Sequence, residues 1–197
     1  MTEIEQAVRK LASRYAKVTI KGTVLSRLIE LGTLIDFSSN DLIVAAGDNQ
    51  NKLYLLVDGL IRKYYLDYQG NDLTHQFLEA EQVFSTQHVV FSGQVMCNFE
   101  AVEPCRVVCF DYELVQSLML EEPALTQIYI GMLEETLRIK LVRETALLTE
   151  SATARYMKLK TEIPNIDQRV NHGHIASYIG VTPVSLSRIR RTLREEK

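Results

Sequence analysis

Residues 171–194, NHGHIASYIGVTPVSLSRIRRTLR, carry the most decisive local pattern in the chain. Gly180 stands between two amphipathic stretches. The first, about 171–179, places Ile175, Ala176 and Ile179 on one face. The second, about 183–195, places Leu186, Ile189 and Leu193 at i, i+3 and i+7. Two short helices joined by a three-residue turn with glycine follow the helix-turn-helix plan. The corner residues fit it one by one. Ala176 is small where the helices cross, and Gly180 can take the left-handed turn position. Val181 is apolar enough to plug the corner. Thr182 is a good N-cap and Pro183 a good first helical residue.

With that apolar row inward, the second helix exposes Thr182, Val184, Ser185, Arg188 and Arg191. Such a set can bind the phosphates and base edges of double-stranded DNA. The Arg188 guanidinium matches a guanine edge bidentately, and Val184 suits a thymine methyl. Thr182 and Ser185 sit at the helix N-terminus, where phosphate is favoured. His172 and His174, at the start of the first helix, read as capping or phosphate-contact residues rather than metal ligands.

The charge distribution agrees. The whole chain of 197 residues carries a net −3. From Ile166 onward, Arg169, Arg188, Arg190, Arg191, Arg194 and Lys197 outnumber Asp167, Glu195 and Glu196, so this tail is +3 and the preceding body −6. A basic tail on an acidic body is the asymmetry expected when only the tail meets phosphate.

Upstream, two helices are predicted at 2–16 and 24–33. From Asp36 to about Phe110 the period changes, and short apolar runs alternate with Gly, Asn and Asp turns, as in DLIVAAGD, KLYLLVDG and CRVVCF. That pattern predicts a β-sandwich or barrel with Leu42, Val44, Leu53, Leu55, Val57, Ile61, Tyr64, Phe77, Val102 and Val107 in its core. Helices follow at 112–121, 123–148 and 151–162, the last N-capped by Ser151 or Thr149, and IPNIDQRVN reads as a connector. The helix 123–148 is apolar on two sides, with Leu125, Ile128 and Met132 on one and Ile130, Leu133, Leu137 and Leu141 on another. Such a helix needs two partners, its own β-domain and a second copy of the chain. The expected homodimer interface is drawn from Leu125, Ile130, Leu133, Leu137 and Leu141.

Several classes are excluded. No apolar run approaches the roughly 20 residues of a membrane span, and the N-terminus has no signal-like apolar core, so a cytoplasmic protein is expected. Cys97, Cys105 and Cys109 form no C-x-x-C pair, and they read as buried or half-buried thiols. No nucleophile motif, phosphate loop or metal motif appears, so neither an enzyme nor a metal site is expected. His75 and His88 are isolated in the sequence.

The order of strands, long helix, short helix and terminal helix-turn-helix resembles the CRP/FNR family of bacterial regulators. The stretches carrying the resemblance are DLIVAAGD, LYLLVDGLIRKYYLDYQGNDLTHQF and HIASYIGVTPVSLSRIRRTL, the last similar to Bacteroidetes-type variants. The resemblance implies an α+β chain. Residues 1–121 would form a cyclic-nucleotide-binding-like β-roll with N-terminal helices, 122–148 a dimerisation helix and 149–197 a DNA-binding domain. It implies double-stranded DNA, a second copy and RNA polymerase as partners, and an effector in the roll. Gly47, Gly59 and Gly70 fall in the roll's turns, and Asn40 stands where the family has a glycine.

The departures are as informative. Members that bind cyclic AMP carry Gly-Glu and Arg-Ser pairs in a phosphate-binding segment. The matching stretch here, QVFSTQHVVFSGQVMCNFEAV (82–102), contains no arginine or lysine. Cyclic nucleotide binding through those contacts is therefore not expected, and no cofactor is assigned. The cysteines of the family's iron–sulfur oxygen sensors are absent before Cys97. Pro183 and Val184 replace the usual Arg-Glu start of the recognition helix. The competing reading is a degenerate roll that binds a ligand or a protein without touching DNA. The glycine-turned, arginine-faced terminus argues against it.

Overall fold

The computed structural model describes residues 2–15, 21–85 and 95–195. Helix α1 (Glu3–Tyr15) and helix α2 (Gly22–Leu31) precede strands β1 (Thr33–Phe37), β2 (Leu42–Val44), β3 (Lys52–Asp58), β4 (Ile61–Leu66), β5 (Asp72–Leu78), β6 (Val83–Ser85), β7 (Asn98–Ala101) and β8 (Cys105–Asp111). Helices α3 (Tyr112–Glu121), α4 (Pro123–Thr149), α5 (Ala152–Glu162), α6 (Ile166–Arg169), α7 (His172–Ile179) and α8 (Pro183–Glu195) complete the chain. The helix expected at 24–33 is shifted to 22–31. Gly32 closes it in extended geometry, and the next five residues already pair as β1 with β8. The stretch read as a connector contains the one-turn α6, which enters from Asn165 at φ 60°.

The strands form two antiparallel four-stranded sheets, β1-β8-β3-β6 and β2-β7-β4-β5. Their inner faces enclose Val44, Tyr54, Leu56, Ile61, Phe84, Phe99 and Val107, with the thiols of Cys97 and Cys105. The outer face of the first sheet is covered by α1 to α4, which bury Leu53, Leu55, Val108 and Phe110. A sheet covered on both faces does not alternate apolar with polar, so β3 buries four residues in a row, Leu53 to Leu56. Of the predicted core, Leu42 is 48% exposed at its strand's edge, and Tyr64 is half-buried. Val57 packs under the helices, outside the roll's interior. Phe77 and Val102 leave the roll altogether and pack into the C-terminal cluster with Tyr156 and Ile179.

The turns take the backbone geometry their residues suit. Asn40 adopts φ 70°, Gly47 93° and Gly59 99°. At Gly59 a Cβ would stand 2.6 Å from the Pro104 carbonyl oxygen, so glycine is required there for space as well as for its angle. The three cysteines are free, and burial raises all three thiol pKa values.

Leu125 requires a correction. It was placed among the dimer-interface residues, but it is 4% exposed and lies in the chain's own core with Val8, Leu28 and Ile128. The other four, Ile130, Leu133, Leu137 and Leu141, are exposed along α4.

Candidate nucleic-acid interface

The C-terminal unit is built on one apolar cluster. Ile175, Ala176 and Ile179 of α7 and Leu186 of α8 are fully buried against Tyr156 and Leu159 of α5, and Ile189 and Leu193 close the edge. Gly180 takes φ 74°, its N–H donates to the Ser177 carbonyl at 3.1 Å, and the Val181 N–H donates to the Ala176 carbonyl at 2.9 Å. This pair of bonds satisfies the last carbonyls of α7 and turns the chain sharply into α8. Asn171 caps α7 by accepting the Gly173 N–H at 2.8 Å. Thr182 caps α8 by accepting the Ser185 N–H at 3.2 Å, with the two hydroxyls 3.0 Å apart.

α8 therefore presents its first turn and its polar face outward. Val184 is 62% exposed, and Thr182, Arg188 and Arg191 are exposed with Ser185 partly so. Arg191 makes only a loose pair with Glu195 at 3.9 Å. Arg190, counted in the basic tail, faces the other way. Its Nη1 donates to His172 Nδ1 at 2.9 Å and its Nε lies 3.8 Å from Asp167. Asp167 also accepts from Tyr156 at 2.7 Å and pairs with Lys160 at 3.2 Å. It thus ties α8 to α5 through α6. Arg169 is likewise spent on Glu103 at 2.6 Å. The exposed cations among the described residues of α8 are Arg188, Arg191 and Arg194.

His174 is not free for phosphate. Its Nδ1 lies 2.7 Å from Nη1 of Arg62, a guanidinium of β4 that is only 2% exposed. Arg62 also donates to Asp72 at 2.9 Å and Glu100 at 2.7 Å, and it lies over the Tyr64 ring at 4.1 Å. Burial pulls the Arg62 pKa down, but the two carboxylates outweigh it and the net shift is upward. Burial and then the Arg62 charge lower the His174 pKa, so its neutral ring accepts from the guanidinium. Beside this cluster the Thr74 N–H donates to Ser177 Oγ at 2.9 Å, and Phe77 lies 5.3 Å from the Tyr178 ring. One face of α7 (His174, Ser177, Tyr178) docks on the roll, while the other packs on α8. The sequence reading missed this contact because its partners are 103 and 112 residues apart in the chain.

Between the second sheet and α4 lies a cavity of about 400 Å³, lined by Lys63, Tyr65, His75, Phe99, Lys140 and Arg143 among others. The absence of cations from the 82–102 stretch therefore does not leave the roll's cavity uncharged, since β4 and α4 supply them. His88 and residues 86–94 of that stretch lie outside the described residues. Among the described residues no group of His, Cys, Asp and Glu could hold a metal ion.

The architecture is a β-roll joined through one long helix to a helix-turn-helix. The comparisons agree. Residues 34–122 match the model of the cyclic nucleotide-binding domain. The chain is similar to the global nitrogen regulator of Synechococcus elongatus, 25% identical over 90% of this chain and 88% of that one. Among solved structures it is similar to FixK2 from Bradyrhizobium japonicum, at TM-score 0.72 and 19% identity, covering 84% of this chain and 85% of that one. A regulator of the CRP/FNR family from Eubacterium rectale also matches, at TM-score 0.72 and 15% identity, covering 90% and 85%. In fold the chain is similar to these proteins, and its residues 34–122 match the cyclic nucleotide-binding domain. The Synechococcus elongatus and Eubacterium rectale proteins are named as regulators, not as enzymes, and neither favours the reading without DNA.

Proposed function

We propose that this chain is a sequence-specific, DNA-binding transcription regulator that works as a homodimer. The observation that carries the reading is α8. It is capped by Thr182, fixed by Leu186 in the core, and shows Val184, Ser185, Arg188 and Arg191 to solvent from one face. The helix enters the major groove with its first turns leading, Arg188 reads a base edge, and Arg191 contacts phosphate. The second copy packs on Ile130, Leu133, Leu137 and Leu141. Among the described residues no helix is long and apolar enough to cross a membrane.

The first test is a salt titration of binding to random-sequence duplex. Affinity is expected to fall steeply as salt rises, with a linear log–log slope. Replacing Arg191 with Ala should weaken all duplexes alike and reduce the slope by about one unit. A slope near zero would remove the DNA reading and leave a ligand- or protein-binding roll.

The effector is proposed to be a small molecule held in the cavity beside α4, and cyclic AMP and cyclic GMP are not expected to bind. Their family phosphate contacts have no counterpart in residues 82–102. Calorimetric titration of either nucleotide should give no heat of binding at micromolar concentration. A micromolar dissociation constant would contradict this. RNA polymerase is the proposed protein partner at the promoter.

A further inference from the structure

His174 is the α7 residue that meets the roll's buried charge. Its Nδ1 lies 2.7 Å from Arg62 Nη1 and 3.8 Å from Asp72 Oδ2. An arginine carries only donors and keeps its proton, so this contact exists only while Nδ1 is an unprotonated acceptor. Arg62 has nowhere to retreat. Its guanidinium is 2% exposed and held by Asp72, Glu100 and Thr74, and its Nε has no hydrogen-bond partner among the described residues. The His174 side chain is 26% exposed, so a proton reaches the ring from solvent in the folded chain.

The charged groups facing His174 are Arg62 from β4, Asp72 from β5 and Glu100 from β7. The other titratable side chains of α7 face elsewhere, His172 toward Arg190 and Tyr178 toward Arg143. A proton on Nδ1 sets two cations 2.7 Å apart. Asp72 does not offset this, because its Oδ2 is beyond hydrogen-bond reach of the ring and already accepts from Arg62 at 2.9 Å. Burial first and the Arg62 charge second hold the ring's pKa below 6.5, against the opposite pull of Asp72 and Glu100. Docked α7 therefore binds the proton less readily than released α7. The contact has its full strength above pH 6.5 and loses it as pH falls toward the lowered value. The other hydrogen bonds that fasten α7 do not titrate in this range. Ser177 Oγ accepts the Thr74 N–H at 2.9 Å, and Arg143 donates to the Tyr178 carbonyl at 2.9 Å and the Thr74 carbonyl at 3.2 Å.

We propose that the His174–Arg62 contact is a proton-operated latch between α7 and the roll, which loosens α7 when the surroundings turn mildly acidic. The signal is the proton itself. Its site is on the opposite face of β4 from Lys63 and the cavity beside α4, since neighbouring strand residues alternate. Protonation removes the acceptor and adds like charge in one step, so the docked state loses twice while the released ring is hydrated freely. The inference rests on the regulator reading for its purpose, but its test does not use DNA.

The test compares the full chain at about pH 7.5 and about pH 5.5, on either side of the ordinary histidine range. The NMR titration of the ring gives the His174 midpoint, which is expected below 6.5. Amide exchange, corrected for the intrinsic effect of pH, gives the protection of residues 175–180. Wild-type protection there should fall about three- to tenfold between the two pH values. His174→Gln offers Arg62 an acceptor that does not titrate, so its protection should change less than about twofold. His174→Lys carries a permanent cation and should be as loose at the higher pH as the wild type is at the lower. His75, whose pKa burial and the nearby cations push down to about 4, is present in every variant, so its contribution cancels. A midpoint at or above 6.5, unchanged wild-type protection, an equal fall in His174→Gln, or a His174→Lys chain as protected as the wild type at the higher pH would overturn the latch. If the glutamine does not reach Arg62 and α7 is already loose at the higher pH, the ring midpoint decides. If the latch acts as described while DNA binding is absent, the latch stands and the regulator reading falls.

Discussion

Leu133→Glu combined with Leu137→Glu is expected to turn a stable dimer into a folded monomer. Both leucines stand out from α4, 44% and 56% exposed, and neither belongs to a buried cluster of the chain. Together with Ile130 and Leu141 they make a row at spacings of three, four and four, along a helix of 27 residues. An exposed apolar row of that period is satisfied by a copy of itself. Charging its centre places four carboxylates against one another across a two-fold axis and leaves each chain's own core untouched. Analytical ultracentrifugation should give a monomer mass, and circular dichroism an unchanged spectrum. Affinity for a two-half-site operator should fall about 100-fold or more, because two linked contacts become one. Leu125→Glu is the contrasting variant. That residue lies in the chain's own core, so it should cost folding rather than pairing. A wild-type chain that sediments as a monomer at micromolar concentration would defeat the interface.

The second large effect is at Arg62. Replacing it with Met keeps much of the side chain's volume but removes the donors that Asp72, Glu100, Thr74 and His174 share. Breaking a buried ion pair from one side costs about 3–5 kcal/mol. Asp72 remains 37% exposed and can recover water, so a loss near 3 kcal/mol is expected. Chemical denaturation at neutral pH measures it directly. The loss should appear both in the roll and in the protection of α7, since His174 is one of the partners. A loss below about 1 kcal/mol, the usual worth of an exposed pair, would show that the cluster is solvated and does not hold the two units together.

Much of the helix-turn-helix could be read in the sequence because its determinants are neighbours. Asn171, Ala176, Gly180, Thr182 and Pro183 each act within four residues, and the caps and the left-handed turn follow from them. The roll could be read as short strands and turns, but not face by face. Helices cover the outer surface of β3, so its LYLL run is buried throughout and alternation cannot say which side is inside. The interface between roll and DNA-reading unit was hidden for a different reason. Arg62 and Arg143 sit in the stretches RKYY and KLVRE, and their partners come from β5, β7 and α7. Nothing local marks a charged residue whose acceptors are brought to it by folding. The same blindness affected Arg190 and Arg169. Both added to the apparent basic tail, and both are paired with acidic residues of the folded chain.

The central claim is that α8 reads DNA as one half of a two-fold pair. In vitro selection from a random duplex library, run in parallel for the wild type and for Arg188→Ala, tests it most directly. The account predicts that the wild type enriches an inverted repeat whose half-sites lie about one helical turn, 10–10.5 base pairs, apart centre to centre. Arg188→Ala should enrich the same repeat with one base pair per half-site relaxed, and its affinity for the wild-type site should fall by about 1–3 kcal/mol. A wild-type pool without a symmetric repeat would contradict the account. So would an Arg188→Ala variant that loses affinity for selected and random duplexes by the same factor.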